Sequence, residues 1–302
     1  MPELPEVHTT SLGIKKKTQG LTIIDVWTDY GGAYHEGKLQ IKNPAFFLLF
    51  KKAVEGREII DTGRRGKNIL IHLSGGVIIL IHMKMTGHVL YGTYKKINNM
   101  WEAEEEGALK DPFNRFIHLV FTLSNKKHLV LSDVRKFAKV TFFNEEDKNA
   151  PELKLLGPEP LEESFTWQTL AKSLGRRAKT KIKTALMDQS LVAGIGNIYS
   201  DEILFTSNIH PESTVLKLTS SDIKNITTAM KDILIKSINM GGDSLSDYRN
   251  IDGERGGFQK HHKAYRQTNK PCPKKGCAGI ISRKIIGGRS SHFCPVHQIR
   301  KV

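Results

Sequence analysis

The sequence predicts an α+β protein in which a β-rich first half is followed by a helical part and then by a cysteine-bearing hairpin. Three observations predict it. Short apolar runs separated by turn residues fill the first half. Beyond residue 160 the apolar spacing changes to three and four. The three cysteines of the 302-residue chain all lie near its end.

Taken in order, residues 5–16 suit a helix with Pro5 near its first turn. Residues 21–29 read as a strand with partial alternation. Residues 68–73 and 77–83 flank Ser74-Gly75-Gly76, a hairpin signal. Residues 116–123 and 128–132 form a second hairpin pattern, and 140–143 another short strand. Short strands with regular turns indicate an antiparallel sandwich or barrel rather than a doubly wound sheet. Residues 98–111, with Glu102, Glu104, Glu105 and Glu106, read as a surface excursion. The composition changes across 144–160, where a domain boundary is expected. Ser164 is a candidate cap for a helix reaching about Leu174, and 181–189 and 197–206 follow as further helices. Residues 221–240 carry Ile223, Ile226, Met230, Ile233 and Leu234 at helical spacing, with Gly241 after the last turn. Residues 241–259 are rich in Gly, Asp and Ser without periodicity, and a loop this long is expected to be mobile or functional.

Lys and Arg number 46 against 31 Asp and Glu, a formal net charge of +15. That excess points to a polyanionic partner, foremost nucleic acid. Disordered and collagen-like classes are excluded by the apolar content. The first residues lack a basic, apolar leader, and runs such as 45–50 and 77–81 are too short to span a bilayer, so an intracellular protein without membrane association is expected.

An odd cysteine count cannot form a complete disulfide framework. Cys272, Cys277, Cys294 and His297 instead make a Cys-x4-Cys-x16-Cys-x2-His pattern, with strand-like residues between its two halves. Such a set suits one tetrahedral Zn²⁺ in a structural role. At the other end, removal of Met1 leaves Pro2 with a free secondary amine. Such an amine is nucleophilic, with a pKa of about 8, and Glu3 stands beside it as a proton carrier.

Six pieces together resemble the formamidopyrimidine-DNA glycosylase and endonuclease VIII family, over nearly the whole chain. They are Met1-Pro2-Glu3-Leu4-Pro5-Glu6-Val7, Arg64-Arg65-Gly66-Lys67, His82-Met83-Lys84-Met85-Thr86-Gly87, Asp133-Val134-Arg135-Lys136-Phe137, Leu191-Val192-Ala193-Gly194-Ile195-Gly196-Asn197-Ile198-Tyr199, and Gly287-Gly288-Arg289-Ser290-Ser291-His292-Phe293-Cys294-Pro295. The resemblance implies an N-terminal antiparallel β-sandwich with a leading helix (1–146). A helix–two-turn–helix domain with a lesion-covering loop (147–262) and a zinc β-hairpin (263–302) follow. It implies a monomer closing on double-stranded DNA that contains a damaged base or abasic site.

The resemblance also implies roles. Pro2 attacks C1′ of the damaged nucleotide, Glu3 moves protons, Glu6 supports them, and β- then δ-elimination cleaves the strand. Lys67 and Arg289 hold phosphate close to the chemistry, and Asn197 does so from a helix start. Tyr265 and His82 are further candidates for the backbone, and Lys179 lies in the basic run 176–183, expected to face DNA. Met85, Arg135 and Phe137 fill the gap left by the flipped nucleotide. Arg135 suits the acceptor edge of an orphaned cytosine. That favours oxidised purines, 8-oxoguanine and formamidopyrimidines, and the long 241–259 loop points the same way. An endonuclease VIII-type enzyme for oxidised pyrimidines stays open, because 98–111 and the cysteine–histidine set depart from the usual purine-specific pattern. So do an abasic-site lyase with little glycosylase activity and a non-enzymatic zinc-ribbon DNA binder.

Overall fold

A computed structural model describes residues 1–146, 151–245 and 247–302. They form two compact units. The first comprises Met1–Ala150 with Met240–Gly257, the second Pro151–Asn239 with Phe258–Val302. Among the described residues no helix is long and apolar enough to cross a membrane.

The first unit opens with α1 (Leu4–Thr18). A capping box between Glu3 and Glu6 starts it, proline occupies its first turn, and Lys15, Lys16 and Lys17 complement the dipole at its end. Strand β1 (Ile23–Thr28) follows, then α2 (Pro44–Val54), capped by Asn43. The remaining strands are β2 (Ile59–Arg65), β3 (Asn68–Leu73), β4 (Val77–His82), β5 (His88–Gly92), β6 (Tyr94–Ile97), β7 (Met100–Ala103), β8 (Ile117–Leu123), β9 (His128–Ser132) and β10 (Lys139–Asn144). Two four-stranded antiparallel sheets, ordered β1-β8-β9-β5 and β10-β4-β3-β2, make the expected sandwich. Ile69, Ile71, Ile79, Ile81, Leu119, Phe121 and Leu131 fill it, with Phe50 of α2. The 98–111 excursion is more ordered than its polarity suggests. Strands β6 and β7 pair around Asn98 and Asn99, both at positive φ, and Trp101 packs beside Trp27.

The second unit holds α3 (Pro151–Lys154), α4 (Trp167–Gly175), α5 (Ile182–Met187), α6 (Asn197–Thr206) and α7 (Ser220–Asn239), then the hairpin of β11 (Ser282–Ile286) and β12 (Arg289–Phe293). Thr166, not Ser164, caps α4: its hydroxyl accepts from Thr169 N at 3.3 Å. The turns between α5 and α6 are held by Gln189, whose amide donates to Ile195 O (2.6 Å) and accepts from Gly194 N (2.9 Å). Helix α7 buries Ile226, Met230, Ile233 and Leu234, and Tyr199 of α6 meets Ser237 at 2.6 Å.

Two boundaries differ from the expected 147–262 and 263–302. The hairpin groups with the helices in one unit. Ile209 and Ile299 form a parallel bridge, and His210 N donates to Ile299 O at 3.0 Å. The segment Met240–Gly257 packs within the first unit instead. Ile251 is buried in the sandwich core, and a Cβ on Gly13 would come within 2.5 Å of it. Arg249, 1% exposed, makes a bidentate pair with Asp111. Single apolar or charged anchors in a Gly- and Asp-rich stretch carry no periodicity, so the sequence does not reveal this attachment.

Candidate active site and DNA-binding surfaces

Pro2 and Glu3 are buried at the entrance to α1. The capping box holds them there: Glu6 Oε2 accepts from Glu3 N at 2.8 Å, and the Glu3 side chain accepts from Glu6 N. Glu6 is not a solvated helix residue. It is 1% exposed, and its Oε1 accepts from Asp243 N at 2.7 Å. Tyr248 donates to Glu6 O at 3.1 Å and contacts the Thr10 hydroxyl. One carboxylate thus joins the N-terminus to the base of the 241–257 segment. Asp243 and Tyr248 went unnoticed in the sequence, where nothing distinguishes them from other loop residues.

Lys67 is largely buried on the two-residue turn between β2 and β3, where Gly66 takes φ +56 and Arg65 pairs with Asn68. Helix α1 packs on both of these strands. His82 ends β4. Burial, aided by the Lys84 and Lys67 ammoniums, pushes its pKa down to about 3, so the ring is neutral at physiological pH. Its Nδ1 accepts from Lys84 N at 3.0 Å, leaving the proton on Nε2 as a donor. The Lys67 and Lys84 ammoniums and the neutral His82 Nε2–H donor therefore make a set suited to phosphate oxygens.

Met85 and Phe137 are 39% and 48% exposed, and Arg135 is exposed between them in sequence. The Arg135 guanidinium lies 4.4 Å from the Phe137 ring centre. Exposed Met and Phe beside a core that has no lack of apolar partners are free to act outside it.

In the second unit a polar cavity of about 670 Å³ is lined by Asn197, Tyr265, Arg266, Thr268, Arg283 and Arg289, among others. It brings Asn197, Tyr265 and Arg289 together. Arg289 is adjacent to the Gly287-Gly288 turn, whose residues take φ +57 and +75, and pairs with Ile286. Asn197 occupies the first turn of α6, and Lys183 Nζ donates to its carbonyl at 3.0 Å. Tyr265 is placed by Glu202, which accepts from the backbone N of Lys263, Ala264 and Tyr265 at 2.8–2.9 Å. Arg266 and Arg283 were not singled out in the sequence; only the hairpin fold brings them to Arg289. Lys179 is exposed but does not line this cavity. The run 176–183 is not one DNA-facing surface. Lys183 is fully buried against Asp201 (2.6 Å), Lys181 pairs with Glu212 (2.9 Å), and Arg176 donates to Ser190 O (3.1 Å).

Cys272, Cys277, Cys294 and His297 converge, with all ligand atoms within 4.8 Å of one another. Cys272 Sγ stands 3.3 Å from His297 Nδ1, and Cys277 Sγ 3.6 Å from Cys294 Sγ. Ligands about 2.0–2.3 Å from one tetrahedral centre stand roughly 3.3–3.8 Å apart, so the residues fit a structural metal. Burial lowers the His297 pKa, favouring the neutral, ligating ring, and its Nε2 is 3.3 Å from Phe205 O.

The family model described as the formamidopyrimidine-DNA glycosylase N-terminal domain matches residues 1–140. That for the formamidopyrimidine-DNA glycosylase H2TH domain matches 156–249. The formamidopyrimidine-DNA glycosylase of Bacillus subtilis is 37% identical over 303 residues, covering all of both chains. The solved complex of Lactococcus lactis Fpg with abasic-site DNA has a TM-score of 0.81 and 30% identity, covering 99% of this chain and 100% of that one. The Lactococcus lactis complex with DNA containing N7-benzyl-Fapy-dG has the same TM-score and coverage at 31% identity. The chain belongs to the formamidopyrimidine-DNA glycosylase family and is a DNA glycosylase of DNA repair.

Proposed function

We propose that the protein excises oxidised purines, 8-oxoguanine and formamidopyrimidines, from double-stranded DNA, acting as a monomer, and then cleaves the strand at the resulting site. With Met1 removed, the Pro2 nitrogen lone pair bonds to C1′, and the C1′–base bond breaks with a proton delivered to the leaving base. The C1′–O4′ bond then opens, O4′ taking up the proton lost from the Pro2 nitrogen, and the resulting C1′=N iminium ion acidifies C2′–H. Loss of that proton expels the 3′ phosphate by β-elimination, and δ-elimination expels the 5′ phosphate. Glu3 carries the protons, and Glu6 holds Glu3 and the 241–257 segment in place. Lys67 and His82 take phosphate from the first unit, and Asn197, Arg289 and Tyr265 take it from the second. Lys179 adds positive field. Met85 and Phe137 fill the gap left by the flipped nucleotide. Cys272, Cys277, Cys294 and His297 hold Zn²⁺, which fixes the hairpin that presents Arg289.

The observation that carries the purine reading is Arg135, exposed and stacked on Phe137, a fork of donors for a cytosine left without its partner. A panel of duplexes with 8-oxoguanine, a ring-opened purine, an oxidised pyrimidine and an abasic site tests it. Purine lesions opposite cytosine are expected to be cut fastest. Preferential release of the oxidised pyrimidine would establish the endonuclease VIII-type alternative. Cleavage of the abasic duplex alone would establish a lyase, and binding without any cleavage a non-enzymatic zinc-ribbon protein.

A further inference from the structure

Two loops cross between the sheets at one end of the sandwich. Residues 83–87 lead from β4 to β5, and residues 133–138 lead from β9 to β10. Their flanks are paired on both sides, His82 with Lys139 and His88 with Ser132, so the loops run side by side. The first carries Met85, the second Arg135 and Phe137. Each contains a residue in the left-handed region, Lys84 at φ +54 and Lys136 at φ +52.

Asp133, 0% exposed, lies where the loops meet. Its Oδ2 accepts from Ala138 N at 2.7 Å and from the Tyr30 hydroxyl at 3.3 Å, which ties the two ends of its own loop. Its Oδ1 accepts from the Thr86 hydroxyl in the other loop. The Thr86 oxygen in turn accepts from Arg135 N at 3.2 Å. A single chain of bonds therefore runs from the residue after Met85, through a buried carboxylate, to the backbone of Arg135. Hydrogen bonds to a buried charged group are stronger than neutral ones, and an interrupted network leaves buried donors unpaired.

We infer that Asp133 and Thr86 are positioning residues that lock the Met85 and Arg135 loops into one unit, so that filling the stack and reading the opposite base occur together. This rests on Arg135 reading the base opposite the lesion. The Thr86 hydroxyl bonds both to the Asp133 carboxylate and to the Arg135 backbone, so it carries the link from the Met85 loop to the Arg135 loop. Without it, Met85 can still enter the duplex while Arg135 drifts from the cytosine edge.

The test is single-turnover excision of 8-oxoguanine opposite cytosine and opposite adenine, with abasic-site cleavage and thermal unfolding in parallel. Thr86→Val keeps the side-chain volume and removes the hydroxyl. It is expected to lower the cytosine-over-adenine ratio about tenfold while abasic-site cleavage stays within about twofold. Thr86→Ser is expected to retain the ratio, and Asp133→Asn to lower it as Thr86→Val does. Tyr30→Phe removes a bond to Asp133 that leaves the Thr86 link intact, so it is expected to cost stability without changing the ratio. A ratio that follows unfolding temperature across all four variants would reduce the cluster to a structural one and overturn the inference. So would an unchanged ratio in Thr86→Val alongside a lost ratio in Arg135→Ala. An unchanged ratio in Arg135→Ala itself would instead overturn the reading on which the inference rests.

Discussion

Asp201 on α6 ties several parts of the second unit together. It is buried, and four donors converge on it: Lys183 Nζ at 2.6 Å, and Ser291 Oγ, His292 N and His292 Nδ1, each at 2.9 Å. Lys183 also donates to the carbonyl of Asn197. The carboxylate thereby connects the first turn of α6 to β12, the strand that begins at Arg289. Asp201→Asn keeps the shape but offers one acceptor oxygen and removes the negative charge 2.6 Å from the buried Lys183 ammonium. Breaking a buried pair from one side costs about 3–5 kcal/mol, a large share of an ordinary domain's stability. Urea unfolding should show that loss, and DNA affinity should fall while bound metal is retained. The double variant Lys183→Met with Asp201→Leu should recover part of it, since no buried charge then lacks a partner. A loss below about 1 kcal/mol for Asp201→Asn, or a double variant as unstable as the sum of its parts, would refute the reasoning.

Other outcomes follow from the same geometry. Cys294→Ser, or chelation of the metal, should weaken DNA binding, because the hairpin tip carrying Arg289 loses its support; filter binding with metal analysis reads both. Glu212 is held at a pKa of about 2 by Lys181 and Lys284, against 4.5 ordinarily. Its folded value lies below the unfolded one, so its contribution is present above pH 4.5 and is lost as pH falls through 2. With both lysines half exposed, that contribution is about 1–2 kcal/mol. Acid unfolding of Glu212→Gln should therefore converge with the unmodified protein near the low end of that window. Gly253 takes φ +84, and a Cβ there would lie 2.7 Å from Ala108 O. Gly253→Ala should cost roughly 1–3 kcal/mol and speed proteolysis within 241–257.

Much of this was legible in the sequence, for local reasons. Alternating β runs, the Ser74-Gly75-Gly76 turn and the helical spacing of Ile226, Met230, Ile233 and Leu234 each depend on near neighbours in the chain. So does the cysteine pattern, whose four ligands converge as the spacing implies. Pro2, Glu3 and Glu6 stand close together in one N-terminal motif, and the capping box that joins Glu3 to Glu6 is likewise a contact between near neighbours. What escaped depends on distant partners. Strand β5 and helix α2 carry their apolar residues in short continuous runs without a telling period, so the pattern does not mark them. Arg249 and Asp111 lie 138 positions apart, and nothing about either residue alone marks the pair. Lys183 looked like one more cation in a basic run until α6 placed Asp201 against it. The Thr86–Asp133 link likewise joins loops 47 positions apart in sequence.

The most direct measurement is borohydride trapping on 8-oxoguanine:cytosine and abasic duplexes, with the Met-processed protein and peptide mapping of the adduct. Chemistry that starts at the nitrogen of Pro2 gives one covalent DNA–protein adduct on the N-terminal proline, lost in Pro2→Gly under conditions where DNA binding persists. An adduct on a lysine, or cleavage of the lesion strand with no trapped species, would contradict it.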